Sequence, residues 1–103
     1  ARVNLNSRAV TYSSFGFLLE EYLGGRGLGA RIMTTEVEPT TPALSPENKL
    51  ILATTPLLGT GAPSFVKYSV VTKSPLTGTI LMSLAGGFFG SALRKAGLDG
   101  LII

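Results

Sequence analysis

The 103-residue chain contains no cysteine and no histidine. Its side chains therefore supply no thiolate, no imidazole base, no iron–sulfur ligand and none of the usual zinc ligands. A disulfide-stapled scaffold is excluded as well. Any redox chemistry has to come from elsewhere. Charge is also sparse, at 15% of residues, and the nine Lys and Arg are scattered with a net charge of +3. No basic run and no interleaving of aromatic with basic residues marks a nucleic-acid surface, so affinity for small anions is the most this balance supports. Tryptophan is missing too, which leaves three Tyr and five Phe as the aromatic inventory.

Long apolar helical runs are equally scarce. Ser74 to Leu93 holds no charge over twenty residues, but Pro75, Gly78, Gly86, Gly87 and Gly90 interrupt it, with five hydroxyl residues among them. That density argues against a spanning helix. The opening Ala1-Arg2-Val3-Asn4-Leu5 has no apolar signal core. The expectation is a soluble chain without a membrane partner. What is present is 45% apolar content and 13 glycines, which fit one small, turn-rich globular domain over residues 1–103.

The patterning predicts an α+β fold of short hairpins and helices. Val3, Leu5 and Val10, Tyr12 alternate on either side of a polar Asn6-Ser7-Arg8 turn, a hairpin signal. Ser13-Ser14 are suited to cap a helix from Phe15 to Leu23 that Gly24-Gly25 ends. A second helix runs from Arg26 to about Thr35 with Leu28, Ile32 and Met33 inward. Glu38 to Glu47 is a connector with three prolines, and Lys49 to Thr54 reads as a buried strand. Thr55 to Pro63 is a loop. Lys67 to Lys73 alternates, with Tyr68, Val70 and Thr72 on one face, and Thr79 to Leu84 returns after a five-residue turn. Gly86-Gly87 opens a helix through Ala96 with Phe89, Ala92, Leu93 and Ala96 as its buried stripe, and Asp99 to Ile103 begins another strand.

Chemistry has few places to sit. The strand, double glycine and helix at Leu81 to Leu93 fit an anion site, because a helix start leaves N–H groups unpaired and glycine lets a phosphate approach. Lys67 or Lys73 from the neighbouring strand would add a cation. Gly-Gly before a helix is also plain turn chemistry. Gly25-Arg26-Gly27-Leu28-Gly29-Ala30 matches G-x-G-x-x-A, but the dinucleotide fingerprint requires a preceding strand, and the residues before Gly25 have helical spacing. Glu20-Glu21 lie on an exposed helix face without a third partner and make a poor acid–base pair.

Six blocks then follow one another in order: Leu23 to Leu28, Leu44 to Leu50, Pro56 to Pro63, Val70 to Gly78, Gly86 to Gly90, and Ala96 to Ile103. Together, from Arg2 to the last residue, they resemble the N-terminal domain of the aldehyde ferredoxin oxidoreductases. The resemblance implies roughly the first half of a duplicated α+β domain, one part of a larger cytoplasmic enzyme of anaerobes. It implies oxidation of an aldehyde substrate to a carboxylate with ferredoxin as electron acceptor and partner. The implied cofactors are tungsten or molybdenum held by two pterins with magnesium, and a [4Fe–4S] cluster held by parts outside this chain. By position, Lys67 falls where the family has an arginine near the pterin phosphates. Leu84, Ala85 and Gly86 fall on an Asn-Ser-Gly stretch, the first serving magnesium through its backbone carbonyl, and Gly87 extends the helix start. Lysine keeps the charge but loses the planar fork of donors. Leucine keeps a carbonyl and loses a side-chain hydrogen bond. No catalytic residue is implied in this segment. The alternative reading is a non-catalytic packing module, which predicts an exposed apolar patch.

Overall fold

The computed structural model describes residues 1–103 as one six-stranded mixed sheet with three helices, the α+β class expected. Strands β1 (Arg2–Asn4) and β2 (Ala9–Thr11) form the expected hairpin. Its turn is held by Asn4 Oδ1, which accepts from the backbone N–H groups of Asn6 and Ser7 at 3.0 Å each. Helices α1 (Gly16–Tyr22) and α2 (Gly25–Glu36) follow, then β3 (Ile51–Ala53), β4 (Tyr68–Lys73), β5 (Ile80–Ala85), α3 (Phe88–Lys95) and β6 (Gly100–Ile102). The strand order is β2-β1-β6-β3-β4-β5. All neighbours are antiparallel except β1 and β6, so the last strand enters the middle of the sheet.

The core lies between α2 and one sheet face. Leu28, Ile32 and Met33 recur at helical spacing and meet Ile51, Ala53, Val71 and Ile102, whose strand positions share that face. Phe15, Leu18, Leu19 and Tyr22 pack on its margin as the helical pattern of α1 predicts. The approach is close enough that a Cβ on Gly29 would stand 2.5 Å from Val71 Cγ2. Between the two helices the chain turns at Leu23 and Gly24, both with positive φ, and Gly25 N–H donates to Thr54 O at 2.7 Å. A Cβ on Gly24 would sit 2.6 Å from that same oxygen. The expected serine cap on α1 is only partly met. Phe15 occupies the cap position, and Ser14 Oγ accepts from Gly16 N–H at 3.2 Å.

The opposite sheet face is thinly covered. Leu52, Val70 and Leu101, aligned across β3, β4 and β6, are half-buried there. The expected stripe on α3 is corrected: Leu93 is buried, whereas Ala92 and Ala96 are exposed and Phe89 is 44% exposed. The helix seats instead through Gly90, where a Cβ would stand 2.8 Å from Leu58 Cδ2 and 3.1 Å from Tyr68 Cδ1. A contact made through a glycine leaves the bulky neighbours of that turn pointing outward. β5, expected as an ordinary partner strand, is exposed over Ile80 to Leu84 because no element packs beyond it. No helix is long and apolar enough to cross a membrane.

Candidate functional site

Strand register brings the sequence-chosen residues together. In the β4–β5 ladder Tyr68 faces Ala85 and Ser69 faces Leu84. Lys67 directly precedes Tyr68 and Gly86 directly follows Ala85, the last pair of the ladder, so Lys67, Leu84, Ala85, Gly86 and Gly87 lie at the same end of the hairpin. Lys73 does not join them. It pairs with Ile80 at the opposite end, roughly 20 Å away at about 3.3 Å per residue, and its Nζ donates to Pro39 O at 2.6 Å. The second cation considered for the anion site is therefore removed from it.

The helix start also differs by a residue or two from expectation. α3 begins at Phe88, and Gly87 is its cap residue with φ 89° and ψ −165°, a conformation that glycine adopts without a Cβ penalty. There is no side-chain cap and no acidic residue in the first turn. The first-turn N–H groups thus lack intrahelical partners and carry the positive end of the helix dipole. Cβ atoms on Gly86 or Gly87 would meet nothing within 4 Å, so the space in front of them is open. Phe89 stacks tilted against Tyr68, with ring centroids 5.1 Å apart, and this fixes the helix start over β4. Lys67 is exposed. The ion pairs of the chain are Arg2–Glu36, Lys49–Glu36 and Arg94–Asp99, which leaves Lys67 without an acidic partner.

Ladder parity adds a feature that residue types alone did not give. Ser74 N–H donates to Thr79 O at 2.8 Å, which makes that pair a hydrogen-bonded rung. Rungs of the two kinds alternate in an antiparallel pair. Ile80, Met82 and Leu84 therefore turn their N–H and C=O groups away from β4. The Leu84 carbonyl points off the sheet edge beside Gly86. The turn at Ser74 to Thr79 was legible, but the rung type was not, because it depends on which turn hydrogen bond forms. Gly90 was another missed residue, and a glycine inside a helical pattern was its available signal.

Other candidates carry less. Glu20 and Glu21 are exposed, and no group of three His, Cys, Asp or Glu side chains is placed to hold a metal ion. Gly25 to Ala30 lies inside α2 and is preceded by α1, not by a strand, so the dinucleotide fingerprint lacks its context. A cavity of about 730 Å³ opens between the β1–β2 hairpin and residues 43–50, away from Gly86. Its basic groups are engaged: Arg2 Nη1 and Nη2 donate to Glu36 Oε2 and Oε1 at 2.7 and 2.5 Å, and Lys49 Nζ stands 3.8 Å from the same carboxylate. The hydrogen bonds from Arg2 hold the Glu36 carboxyl below its ordinary pKa, against a smaller opposing effect of burial.

Known proteins share this architecture. A chain of the active-site complex BamBC of benzoyl coenzyme A reductase, solved with 1,5-dienoyl-CoA, superposes with a TM-score of 0.93 at 36% identity, covering 98% of this chain and 16% of that one. The tungsten-containing aldehyde ferredoxin oxidoreductase of Pyrococcus furiosus is 47% identical over 103 residues, and that of Thermococcus kodakarensis 45%. In each, the matched region is 99% of this chain and 17% of the relative, so the chain spans about a sixth of the length of these curated relatives. The WOR-like subunit of an aliphatic sulfonate oxidoreductase, also from Pyrococcus furiosus, is 37% identical over 89 residues, 84% of this chain and 14% of that one. The model of the aldehyde ferredoxin oxidoreductase N-terminal domain matches residues 1–103. With sequence and fold in agreement over the whole length, the chain belongs to the family of aldehyde ferredoxin oxidoreductase N-terminal domains.

Proposed function

We propose that this segment seats the phosphate end of a tungsten–pterin cofactor at the β5–α3 junction of a larger oxidoreductase, which oxidises an aldehyde to a carboxylate and passes electrons to ferredoxin. The observation that supports the reading is that the β4–β5 ladder ends at the Tyr68–Ala85 pair, the chain neighbours of Lys67 and Gly86, next to an open helix start with no acidic residue in its first turn. The residues fit the group. A phosphate at Gly86-Gly87 meets N–H groups of the first turn of α3 and the Lys67 cation, and no Cβ stands in its path. The Leu84 carbonyl, turned off the ladder, is free to serve a magnesium ion that such a phosphate would bring. When bound, the cofactor supplies the metal-centred oxidation, and the chain's own part is binding and orientation. A [4Fe–4S] cluster belongs to the remaining domains, since this segment has no cysteine.

Two facts favour a seating role over a substrate-selecting one. The segment offers no carboxylate, imidazole or thiol at the junction. It is also shared by relatives whose names give an aldehyde, a sulfonate and a benzoyl-CoA chemistry, as a substrate-independent part would be. The test is Lys67→Ala and Lys67→Arg in the intact enzyme, with tungsten measured by elemental analysis and pterin by fluorescence after dialysis. Lys67→Ala loses metal and pterin together while far-ultraviolet circular dichroism is unchanged, and Lys67→Arg retains them. Equal metal content in Lys67→Ala and parent would sink the reading.

A further inference from the structure

The two edges of the sheet are built differently. β2 is three residues long and follows a polar turn, the kind of short edge that resists further pairing. β5 has six residues, Ile-Leu-Met-Ser-Leu-Ala, with no charge and no proline. Ile80 and Met82 direct their N–H and C=O groups outward by ladder parity, and no other strand or loop bonds to them. An edge that is long, apolar and unguarded is a template for another strand.

Two further observations point to an occupant. Folded monomers of this mass, 10.7 kDa, expose about 5,500 Å², whereas this chain exposes 6483 Å². The excess of about 1,000 Å² is of the size a specific interface covers. Beside the edge, a cavity of about 300 Å³ opens among Met33, Val37, Pro39, Thr79 and Ile80. A side chain from a strand laid along β5 on the α2 side would enter it, against the apolar Met33, Val37 and Ile80 with Glu38 and Lys73 at the wall. The chain is only 17% of the length of its relatives, so in them most of the polypeptide lies outside this fold.

We propose that β5 is completed by strand addition: an extended, apolar segment of the same enzyme from outside residues 1–103 pairs with the backbone of Ile80 and Met82 and fills the cavity beside Ile80. This rests on the family relationship and the sheet geometry, not on the cofactor reading, and the added strand stops short of the Leu84 carbonyl. Residue-resolved amide exchange on the intact enzyme tests it. The Ile80 and Met82 amides exchange at least about a hundredfold more slowly than the loop amides of Gly61 and Ser64, and do so unchanged on dilution. Faster exchange overturns the proposal. Protection that disappears on dilution assigns the edge to a second copy of the enzyme and overturns it too. Met82→Pro gives a second readout, because proline is tolerated where a strand N–H faces solvent and not where it is paired. Met82→Pro unfolds at a lower temperature than Met82→Ala. Equal midpoints overturn the proposal, and neither assay reads tungsten or pterin.

Discussion

Replacing Gly29 by alanine sets two effects of known size against each other. Alanine inside a helix is more favourable than glycine by about 1 kcal/mol. Here its Cβ would lie 2.5 Å from Val71 Cγ2 and 3.0 Å from Val71 Cβ, against about 3.5–4.0 Å for carbon atoms in good contact. Val71 is fully buried, and its branched side chain has little rotamer freedom with which to yield. Overpacking of this kind costs about 1–3 kcal/mol, so the net loss is about 1 kcal/mol, enough to accelerate local opening several-fold. Val71→Ala removes two methyl groups from the same contact and costs about 2 kcal/mol. Combined, the two changes should partly cancel, because the methyl introduced by Gly29→Ala refills space the valine vacates. The double variant is expected to be more stable than the sum of the single losses by about 1–2 kcal/mol. Native-state amide exchange of β3 and β4 in the intact enzyme reads all four corners of this cycle. Strict additivity would refute the claim that Gly29 is required by its closeness to Val71.

Gly24→Ala has no such compensation. With φ 99° and a Cβ position 2.6 Å from Thr54 O, the substitution is expected to cost about 1–3 kcal/mol from backbone strain alone, seen as a lower unfolding midpoint. For the Arg2–Glu36 pair the folded pKa of Glu36 lies below its unfolded value, chiefly through the Arg2 hydrogen bonds. Its stabilising contribution is therefore present above the ordinary carboxyl pKa and is lost as pH falls through the lowered one. The side chains are 33% and 28% exposed, so the contribution is about 0.5 kcal/mol. Glu36→Gln should flatten the acid limb of the stability profile slightly, and a difference that persists unchanged well below the carboxyl range would contradict this.

Local signals carried much of the fold. The period-2 alternation of Tyr68 to Lys73 gave the strand and its two faces but not which of them lies inward, which is the face of Ser69 and Val71, and the spacing of Leu28, Ile32 and Met33 gave the buried side of α2. The candidate site was legible only in pieces. Gly86-Gly87 marked a helix start, but the placing of Lys67 rather than Lys73 beside it follows from the register of β4 on β5, which the turn at Ser74 to Thr79 fixes. Sequence spacing on α3 selected Phe89, Ala92 and Ala96 as core because it assumes a helix buries its apolar stripe. Contact through Gly90 left Ala92 and Ala96 outside and Phe89 only partly covered, while Leu93 of the same stripe is buried as expected. The central position of β6 was not legible at all, since three-residue strands carry too little pattern to name their neighbours.

That central position has a consequence for how the molecule is made. β6 bonds to β3 on one side and β1 on the other, so residues 100–102 join two parts of the sheet that otherwise share no strand pairing. During synthesis the first hairpin emerges about ninety residues before its sheet neighbour does, and until then it has nothing to pair with beyond itself. Contacts of such sequence separation form slowly. A nascent chain halted before Gly100 would hold β3, β4 and β5 with an empty slot at the inner edge of β3, leaving both margins of that partial sheet unpaired. Binding by a holding chaperone at the inner edge of β3 on ribosome-bound chains should therefore fall once residue 102 clears the exit tunnel, while the β5 edge stays open.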